Sequence, residues 1–345
     1  MAPVAVALAA AAALASVGMT KRSALAASLA VLAHLAWIWI PAAIVLESAS
    51  MAALSGMQRR LLAAGGASVG ARPMLATTYA ANALSVSMPL VGPELGTVFT
   101  FRRFTRQGAD APLASWSLLV GGVVSTAAGV LVVVGGGLSS GNLPVTVAAA
   151  TVGLAAAAAL AAAVAALRRP RMRSTLERLA ARTLRFWRGL RRRSAVDPGQ
   201  TVQAWADRLG SLRLPASGWT AVTGLALANW LADAAVLAVS IHATGAAVPW
   251  QALLLAYGSG VAAQNLNLTP GGFGITEGTL SLTLAAAGLR PSRALAAVLL
   301  YRLVSFWLVA TAGWMIFLWL RRCGVVARHR CASADVAPMP TGSAR

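Results

Sequence analysis

The chain alternates long apolar runs with short polar or basic segments, and several runs are long enough to cross a bilayer. A helix needs about 20 mainly apolar residues to span the hydrocarbon core. Runs of this kind lie at 113–138, 143–167, 217–242 and 294–320. Another apolar stretch, 24–58, tolerates Pro41 and Glu47 and ends at a pair of arginines. The pattern predicts an all-α polytopic membrane protein built as a helical bundle.

Two further apolar regions are broken in the middle. The pieces at 74–88 and 95–107 flank the first break, and those at 250–266 and 274–288 flank the second. At a rise of about 1.5 Å per residue, each piece is too short to cross the hydrocarbon core. Irregular backbone at membrane depth is tolerated only where it is buried in protein or lines a wet cavity. We therefore predict two re-entrant hairpins of half-helices.

The two breaks share an order of residue types, which is asparagine, then proline, then glycine, then glutamate. The residues expected to form the hairpins are Asn82, Pro89 and Gly92 in the first copy and Asn265, Pro270, Gly271, Gly272 and Gly274 in the second. Pro270 is expected to end one half-helix, and the glycines after it to let the backbone turn and the helices pack closely. The asparagines are interpreted first as partners for loose backbone groups and second as ligand contacts.

The duplication and the distribution of charge together predict an inverted repeat. The halves are 24–138 and 217–320, joined by the span 143–167 and a basic segment over 168–213. Because basic loops stay in the cytoplasm, counting spans from this segment brings the two hairpins in from opposite faces, the plan of many secondary transporters. The same count places the C-terminus in the cytoplasm and the 138–143 turn outside.

Composition excludes other classes of protein. Hydrophobic residues make up 58% of the 345 positions and charged residues 11%, which does not suit a soluble globular protein. The net charge of +20 raises nucleic-acid binding as an alternative. The segment 168–193, with eleven arginines, is either a nucleic-acid or phosphoinositide site or an amphipathic helix on the anionic inner leaflet. The pattern favours the helix, so we expect a location in the inner (plasma) membrane and no nucleic-acid partner.

The ends of the chain and its cysteines add little chemistry. Residues 4–18 are interpreted as a first membrane segment in preference to a secretory signal peptide, because a basic region ahead of them is missing. Residues 1–330 are expected to form a single integral membrane domain, followed by a disordered tail over 331–345. The two cysteines and three histidines lack metal-ligand spacing. We expect no metal and no cofactor.

Several stretches resemble a known family. The segment Leu268–Glu277, followed by Gly288 and then Leu300–Trp307, looks like the C-terminal signature of the lysylphosphatidylglycerol synthase transmembrane-region family. The segments Asn229–Asp233 and Pro89–Gly108 are similar to its upstream landmarks, and the likeness covers roughly 24–320.

In the best-known members of that family, this region is the lipid-translocating part of a protein whose soluble domain attaches lysine to phosphatidylglycerol. The present sequence ends soon after its last predicted span, so the resemblance does not imply aminoacyl transfer and we predict that the chain is not an enzyme. The first repeat departs from the second, because Ser115–Leu119 stands where an arginine is expected.

Ionisable residues within the membrane are few, and they define the candidate site. We predict a polar cavity at the junction of the two hairpins, which binds an anionic lipid headgroup through Glu94, Asp233, Glu277 and Arg302. A guanidinium suits a phosphate. The alternative is that Arg302 forms a structural pair with Asp233 or Glu277. Thr276 and Glu277 are equally explained as caps of the following half-helix. Glu47 and His34 share no obvious helix face and are left out of the site.

The leading hypothesis for function is a flippase-like translocator of a phospholipid or another anionic, lipid-like substrate. The alternative is a membrane scaffold, without transport, that recruits a separate synthase or another lipid- or envelope-modifying enzyme. A membrane-embedded transferase ranks lowest because no catalytic constellation is visible.

Overall fold

The computed structural model describes residues 36–139, 214–265 and 269–334, together with a few isolated positions between 141 and 212. Every element in these ranges is helical. Residues 1–35, most of the predicted span 143–167 and all of the arginine-rich segment 168–193 lie outside the described residues. The fold therefore rests on the two halves that were predicted to form a repeat.

Nine α-helices make up the described part, with a 3₁₀ turn at Pro270–Gly272 and a π-helical segment at Leu303–Leu308. The helices are α1 (Trp39–Ala64), α2 (Ala71–Ser87), α3 (Gly92–Arg106), α4 (Ala111–Ser139), α5 (Ala216–Ala243), α6 (Trp250–Asn265), α7 (Ile275–Ala286), α8 (Pro291–Arg302) and α9 (Val309–Ala334).

Four helices in the described ranges are long and apolar enough to cross a membrane, namely Trp39–Ala64, Ala111–Leu138, Ala216–Ala243 and Pro291–Arg322. They confirm the spans predicted at 113–138, 217–242 and 294–320. The boundary predicted for the first span is wrong at its C-terminal end. Helix α1 continues past Arg59 and Arg60 to Ala64, because Leu61 and Leu62 are fully buried against neighbouring helices.

Helices α1 and α5 form an antiparallel pair at the centre of the bundle. The Asn229 amide donates to the Ser50 hydroxyl at 2.7 Å and to its carbonyl oxygen at 3.1 Å, and the hydroxyl donates to the Asn229 carbonyl oxygen at 3.1 Å. At one end of the pair, the Ala36 backbone N–H donates to the Ala243 carbonyl oxygen at 3.1 Å. Two polar residues thus satisfy each other inside an apolar bundle and fix the register of the two helices.

The first break is a helical hairpin made by α2 and α3. Gly96 lies against the Ala81 carbonyl and the Ser85 side chain, and further along Gln107 contacts the Thr77 hydroxyl at 3.5 Å, so the two helices run antiparallel. Their open end lies beside the C-terminal end of α1, where the Arg59 side chain donates to the Val69 carbonyl oxygen at 3.0 Å.

The second break is a helical hairpin made by α6 and α7. The Ser259 and Thr283 hydroxyls are 3.1 Å apart, Gly260 packs against Leu280, and Gly272 packs against Gln264. The open end of this hairpin lies at the other end of the bundle, beside the C-terminal end of α5. The tips of the two hairpins meet, since α2 contacts the 3₁₀ turn. Re-entry into the membrane and an inverted repeat stay predictions.

The last long helix is not a regular α-helix. Its α8 and α9 segments are joined by the π-helical turns of Leu303–Leu308, immediately after Arg302. π-Helical turns inside α-helices are frequent at functional sites. Helix α9 packs tightly on α2, where the Trp314 indole donates to the Ser87 hydroxyl at 2.9 Å. It is described as far as Ala334, which lies inside the segment 331–345 predicted as a tail.

Candidate functional site

Arg302 is buried at the end of α8 and has a partner on each side of its guanidinium. Its Nε donates to Glu277 Oε1 at 2.7 Å, and its Nη2 donates to the Gly271 carbonyl oxygen at 2.6 Å. The guanidinium carbon also lies 4.4 Å from the centre of the Phe306 ring. Only 4% of the residue is exposed. A buried charge of this kind is stable only because it is paired and hydrogen-bonded.

The turn that brings Glu277 and Gly271 to Arg302 depends on glycine. Gly271, Gly272 and Gly274 all have positive φ, at 59°, 69° and 85°. Residues with a Cβ rarely adopt this backbone conformation. A Cβ on Gly271 would also overlap the Phe306 ring that lies over Arg302. The glycines were predicted to allow a turn and close packing, and their positive φ and short distances to Phe306 and Gln264 agree with that interpretation.

Glu277 has two roles in one position. It is the third residue of α7, and its Oε2 accepts a hydrogen bond from the Gly274 backbone N–H at 2.5 Å while Oε1 receives Arg302. Glycine has no side chain, so the reciprocal half of a capping box does not exist here. Capping by Thr276 and Glu277 and the Glu277–Arg302 pair were each offered as alternatives to anion binding; Glu277 makes both contacts, whereas the Thr276 hydroxyl has no hydrogen-bond partner among the described residues.

Asp233 forms a second cluster beside the first. The Tyr257 hydroxyl donates to its Oδ2 at 2.7 Å, and the Tyr301 hydroxyl donates to its Oδ1 at 3.1 Å. Both tyrosines are almost completely buried. Asp233 also interacts electrostatically with Arg302. The predicted direct Asp233–Arg302 pair is not formed, because phenol donors occupy the carboxylate and Arg302 turns to Glu277.

Glu47 is the functional candidate that the sequence interpretation missed. Its side chain is only 3% exposed, and its carboxyl interacts electrostatically with Asp233. The signal that could have found it is the register of α1 and α5. Once Ser50 is paired with Asn229, the helical repeat brings Glu47, one turn earlier in α1, opposite Asp233, one turn later in α5. The sequence analysis looked only for a helix face shared by Glu47 and His34, and such a comparison within one helix cannot show that Glu47 pairs with a residue of another helix.

A small cavity joins the Asp233 and Arg302 clusters. It has a volume of about 110 Å³ and is lined by Glu47, Met51, Asn82, Val86, Asp233, Gln264, Tyr301, Arg302, Ser305, Phe306, Val309 and Ala310. Its walls come from both hairpins and from α1, α5, α8 and the segments after α8. A polar cavity therefore lies where the hairpin tips meet, and of the four residues predicted to build it, Asp233 and Arg302 line it, whereas Glu94 and Glu277 do not. Asn82 faces it and contacts the Met51 sulphur at 3.7 Å.

Glu94, which was predicted to bind the headgroup, is exposed in the first turn of α3 and is not among the residues that line the cavity. Pro270 begins the 3₁₀ turn, and residues 266–268 between it and α6 lie outside the described residues, so its predicted role in ending the half-helix stays a prediction. In the first hairpin, Pro89 lies in the exposed turn and Gly92 begins α3 directly against the Ser85 carbonyl.

A comparison with protein families matches residues 3–313 to the family described as the lysylphosphatidylglycerol synthase TM region. The chain belongs to this family. Its membership agrees with a multi-pass membrane protein whose role is related to membrane lipids. No curated protein matches the chain significantly. The buried ion pair joins two stretches within the matched residues, one ending at Glu277 and one containing Arg302.

Proposed function

We propose that the protein is a flippase-like translocator of a phospholipid or another anionic, lipid-like substrate, with Arg302 as the group that receives the phosphate. The observation that carries the proposal is the buried guanidinium beside a cavity where the two hairpin tips meet. A lone arginine costs about 2.5–3.5 kcal/mol at the centre of a membrane helix on insertion scales, and intramembrane charges usually mark substrate or ion pathways. The family's lipid-related role supports the same conclusion.

The Glu277–Arg302 ion pair acts as a gate, because it must open before a phosphate can bind to Arg302. Glu277 and the Gly271 carbonyl occupy two donors of Arg302 in the present arrangement. A phosphate oxygen competes for the same donors with a matching planar geometry. The cavity of about 110 Å³ is smaller than the roughly 300–1,000 Å³ of typical ligand pockets. We therefore propose that the hairpin tips separate when a headgroup enters and that Glu277 then releases Arg302.

We further propose a plasma-membrane location with the C-terminus in the cytoplasm. Arg59, Arg60, Arg102, Arg103 and Arg106 gather at the end of the bundle where α1 and α3 finish, which is the distribution expected of a cytoplasmic face. Arg290 and Arg293 lie at the opposite end, where Arg293 donates to the Gly245 carbonyl oxygen at 3.2 Å. Because the first group of arginines is larger, we assign its end of the bundle to the cytoplasm.

The proposal is tested with protein reconstituted into liposomes containing labelled phosphatidylglycerol. The double substitution Arg302→Met with Glu277→Gln removes both charges together, so the protein is expected to fold and to lose lipid movement. Arg302→Lys is expected to keep part of the activity, because lysine keeps the charge and loses the planar fork. Arg290→Met is the matched control, because Arg290 is exposed at the start of the same helix.

Each outcome bears on the proposal. Lipid movement by the natural protein that is lost in the double variant and kept in the Arg290→Met control supports it. Full activity in the double variant contradicts the role of Arg302 and leaves the pair as structure only. No lipid movement in the natural protein contradicts transport and favours the scaffold alternative.

A further inference from the structure

Among the described residues, two carboxyl groups share the cavity next to Arg302 and neither forms a salt bridge with a cation. Glu47 on α1 and Asp233 on α5 both line the cavity and interact with each other electrostatically. Arg302, the cation that interacts with Asp233, has its Nε engaged by Glu277 at 2.7 Å. Arg302 is thus neutralised by Glu277, while Asp233 and Glu47 line the same cavity.

The hydrogen bonds of the two carboxyls differ. Asp233 accepts hydrogen bonds from two tyrosine hydroxyls, which stabilise an ionised carboxylate. The Oε2 atom of Glu47 is buried and has no hydrogen-bond partner among the described residues. A buried ionised carboxylate without partners is very costly, and two neighbouring carboxyls rarely ionise together. A neutral Glu47 beside an ionised Asp233 removes both costs.

We propose that Glu47 holds one exchangeable proton against the Asp233 carboxylate, so that this pair is a proton-binding site within the membrane bundle. A protonated carboxyl supplies an O–H donor, which an adjacent carboxylate accepts. The site takes a proton as its ligand.

The other groups that face the pair fit this assignment. Tyr79 on α2 interacts with Glu47, and Tyr257 on α6 and Tyr301 on α8 interact with both carboxyls. These phenols are neutral donors, and two of them are bonded to Asp233 in preference to Glu47. Arg302 on α8 acts on Asp233, and Glu277 on α7 holds that arginine. Helix α4, which also packs on α1, carries no titratable side chain.

The proton site also has a consequence for Arg302, and this step rests on the proposed function. Loss of the proton from Glu47 adds a negative charge next to Asp233, which draws Arg302 away from Glu277. Uptake of the proton returns Arg302 to Glu277 and closes the gate. The charge of Glu47 thereby couples proton binding to the exposure of the Arg302 guanidinium that binds phosphate.

The proton is tested directly by infrared spectroscopy of the purified full-length protein in detergent. The carbonyl stretching band of a protonated carboxyl is expected at neutral pH in the natural protein. Glu47→Gln, which has nearly the same shape, should lose the band. Asp233→Asn should keep it, but with a loss at lower pH than in the natural protein, since the neighbouring negative charge is gone. Glu94→Gln is the matched control with an exposed carboxyl, and its spectrum should retain the band.

The infrared result stands apart from lipid transport. A missing band in the natural protein at neutral pH, or a band that persists in Glu47→Gln, overturns the proton site even if lipids move. A sodium-dependent spectrum without the protonated band also overturns it and points to a metal cation. In liposomes, a pH gradient should change the rate of lipid movement in the natural protein and not in Glu47→Gln. If no lipid moves while the band behaves as expected, the proposed function fails and the proton site remains.

Discussion

Glu94 and Glu277 occupy the same place in the two hairpins, yet their surroundings are opposite. Each follows an asparagine by twelve residues, and each is the third residue of the helix after the break. Glu94 is exposed, whereas Glu277 is 9% exposed and bonded to Arg302. Arg302 lies 25 positions after Glu277, and the same step from Glu94 reaches Leu119, which is 71% exposed. The motif positions the carboxylate in its helix, and the partner helix decides whether it is buried.

The two turns also use different means to reverse the chain. The first turn is short and exposed, and it closes because Gly92 and Gly96 let α3 approach the backbone of α2. The second turn has buried glycines at 271 and 272 and an exposed Phe273, and it relies on glycines with positive φ at 271, 272 and 274. The first hairpin is therefore held by close backbone packing, and the second is held by a glycine-dependent loop tied to a buried charge.

The largest effect is expected from breaking the pair that only the second hairpin has. Arg302→Met alone leaves Glu277 buried without its partner, which costs about 3–5 kcal/mol of folding free energy. Adding Glu277→Gln should recover much of this loss, because no uncompensated charge remains. Thermal unfolding of the purified variants in detergent, followed by tryptophan fluorescence, measures the loss of stability in the single variant and its recovery in the double variant. Glu94→Gln is the control at the equivalent position, and its midpoint should stay near that of the natural protein.

If Glu94→Gln destabilises the protein as much as Arg302→Met, the conclusion that only the second hairpin depends on its carboxylate is wrong. It is also wrong if the double variant is as unstable as the single one, since the charge would then not be the cause.

The difference between the two hairpins shows which features of the fold and the site could be predicted from the sequence. The spans, the two breaks and the grouping of Asp233, Glu277 and Arg302 follow from apolar run length and from the cost of charge in a bilayer. The exposure of Glu94 could not be predicted in this way, because the break motif is similar in both copies. The only sign in the sequence that the two hairpins would differ was the missing arginine noted at Ser115–Leu119. Glu47 was missed because its partner lies on a helix far along the chain.

A smaller effect is expected from adding one methyl group at each turn. Gly271→Ala imposes a positive φ on a residue with a Cβ, at about 1–3 kcal/mol, and pushes the new methyl into the Phe306 ring. Gly92→Ala sets the methyl against the Ser85 carbonyl, with a typical overpacking cost of about 1–3 kcal/mol. Unfolding midpoints of the two variants provide the measurement.

The two glycine variants differ in what else they disturb. Gly271→Ala displaces the carbonyl and the ring that contact Arg302, so lipid movement should fall as well as stability, while Gly92→Ala should affect stability first. Gly122→Ala is the control, since a methyl there meets nothing within 4 Å. Equal losses in all three variants would show that neither turn has a special requirement for glycine.

The smallest effect is expected at Leu90 in the first turn, and its sign is opposite. Leu90 has φ 63°, in the region where the second turn places glycines, and its side chain is 70% exposed. A left-handed conformation costs a residue with a Cβ about 1–2 kcal/mol. Glycine avoids this cost but loses about 0.5–1 kcal/mol through the greater freedom of its unfolded chain. Leu90→Gly should therefore stabilise the protein by up to about 1 kcal/mol and raise the unfolding midpoint slightly. Met88→Gly is the matched control, because Met88 is also exposed in this turn but has φ −121°, so the same change there should only destabilise. If Leu90→Gly lowers the midpoint as Met88→Gly does, the first turn does not carry the strain that its backbone indicates, and the two hairpins are more alike than their glycines suggest.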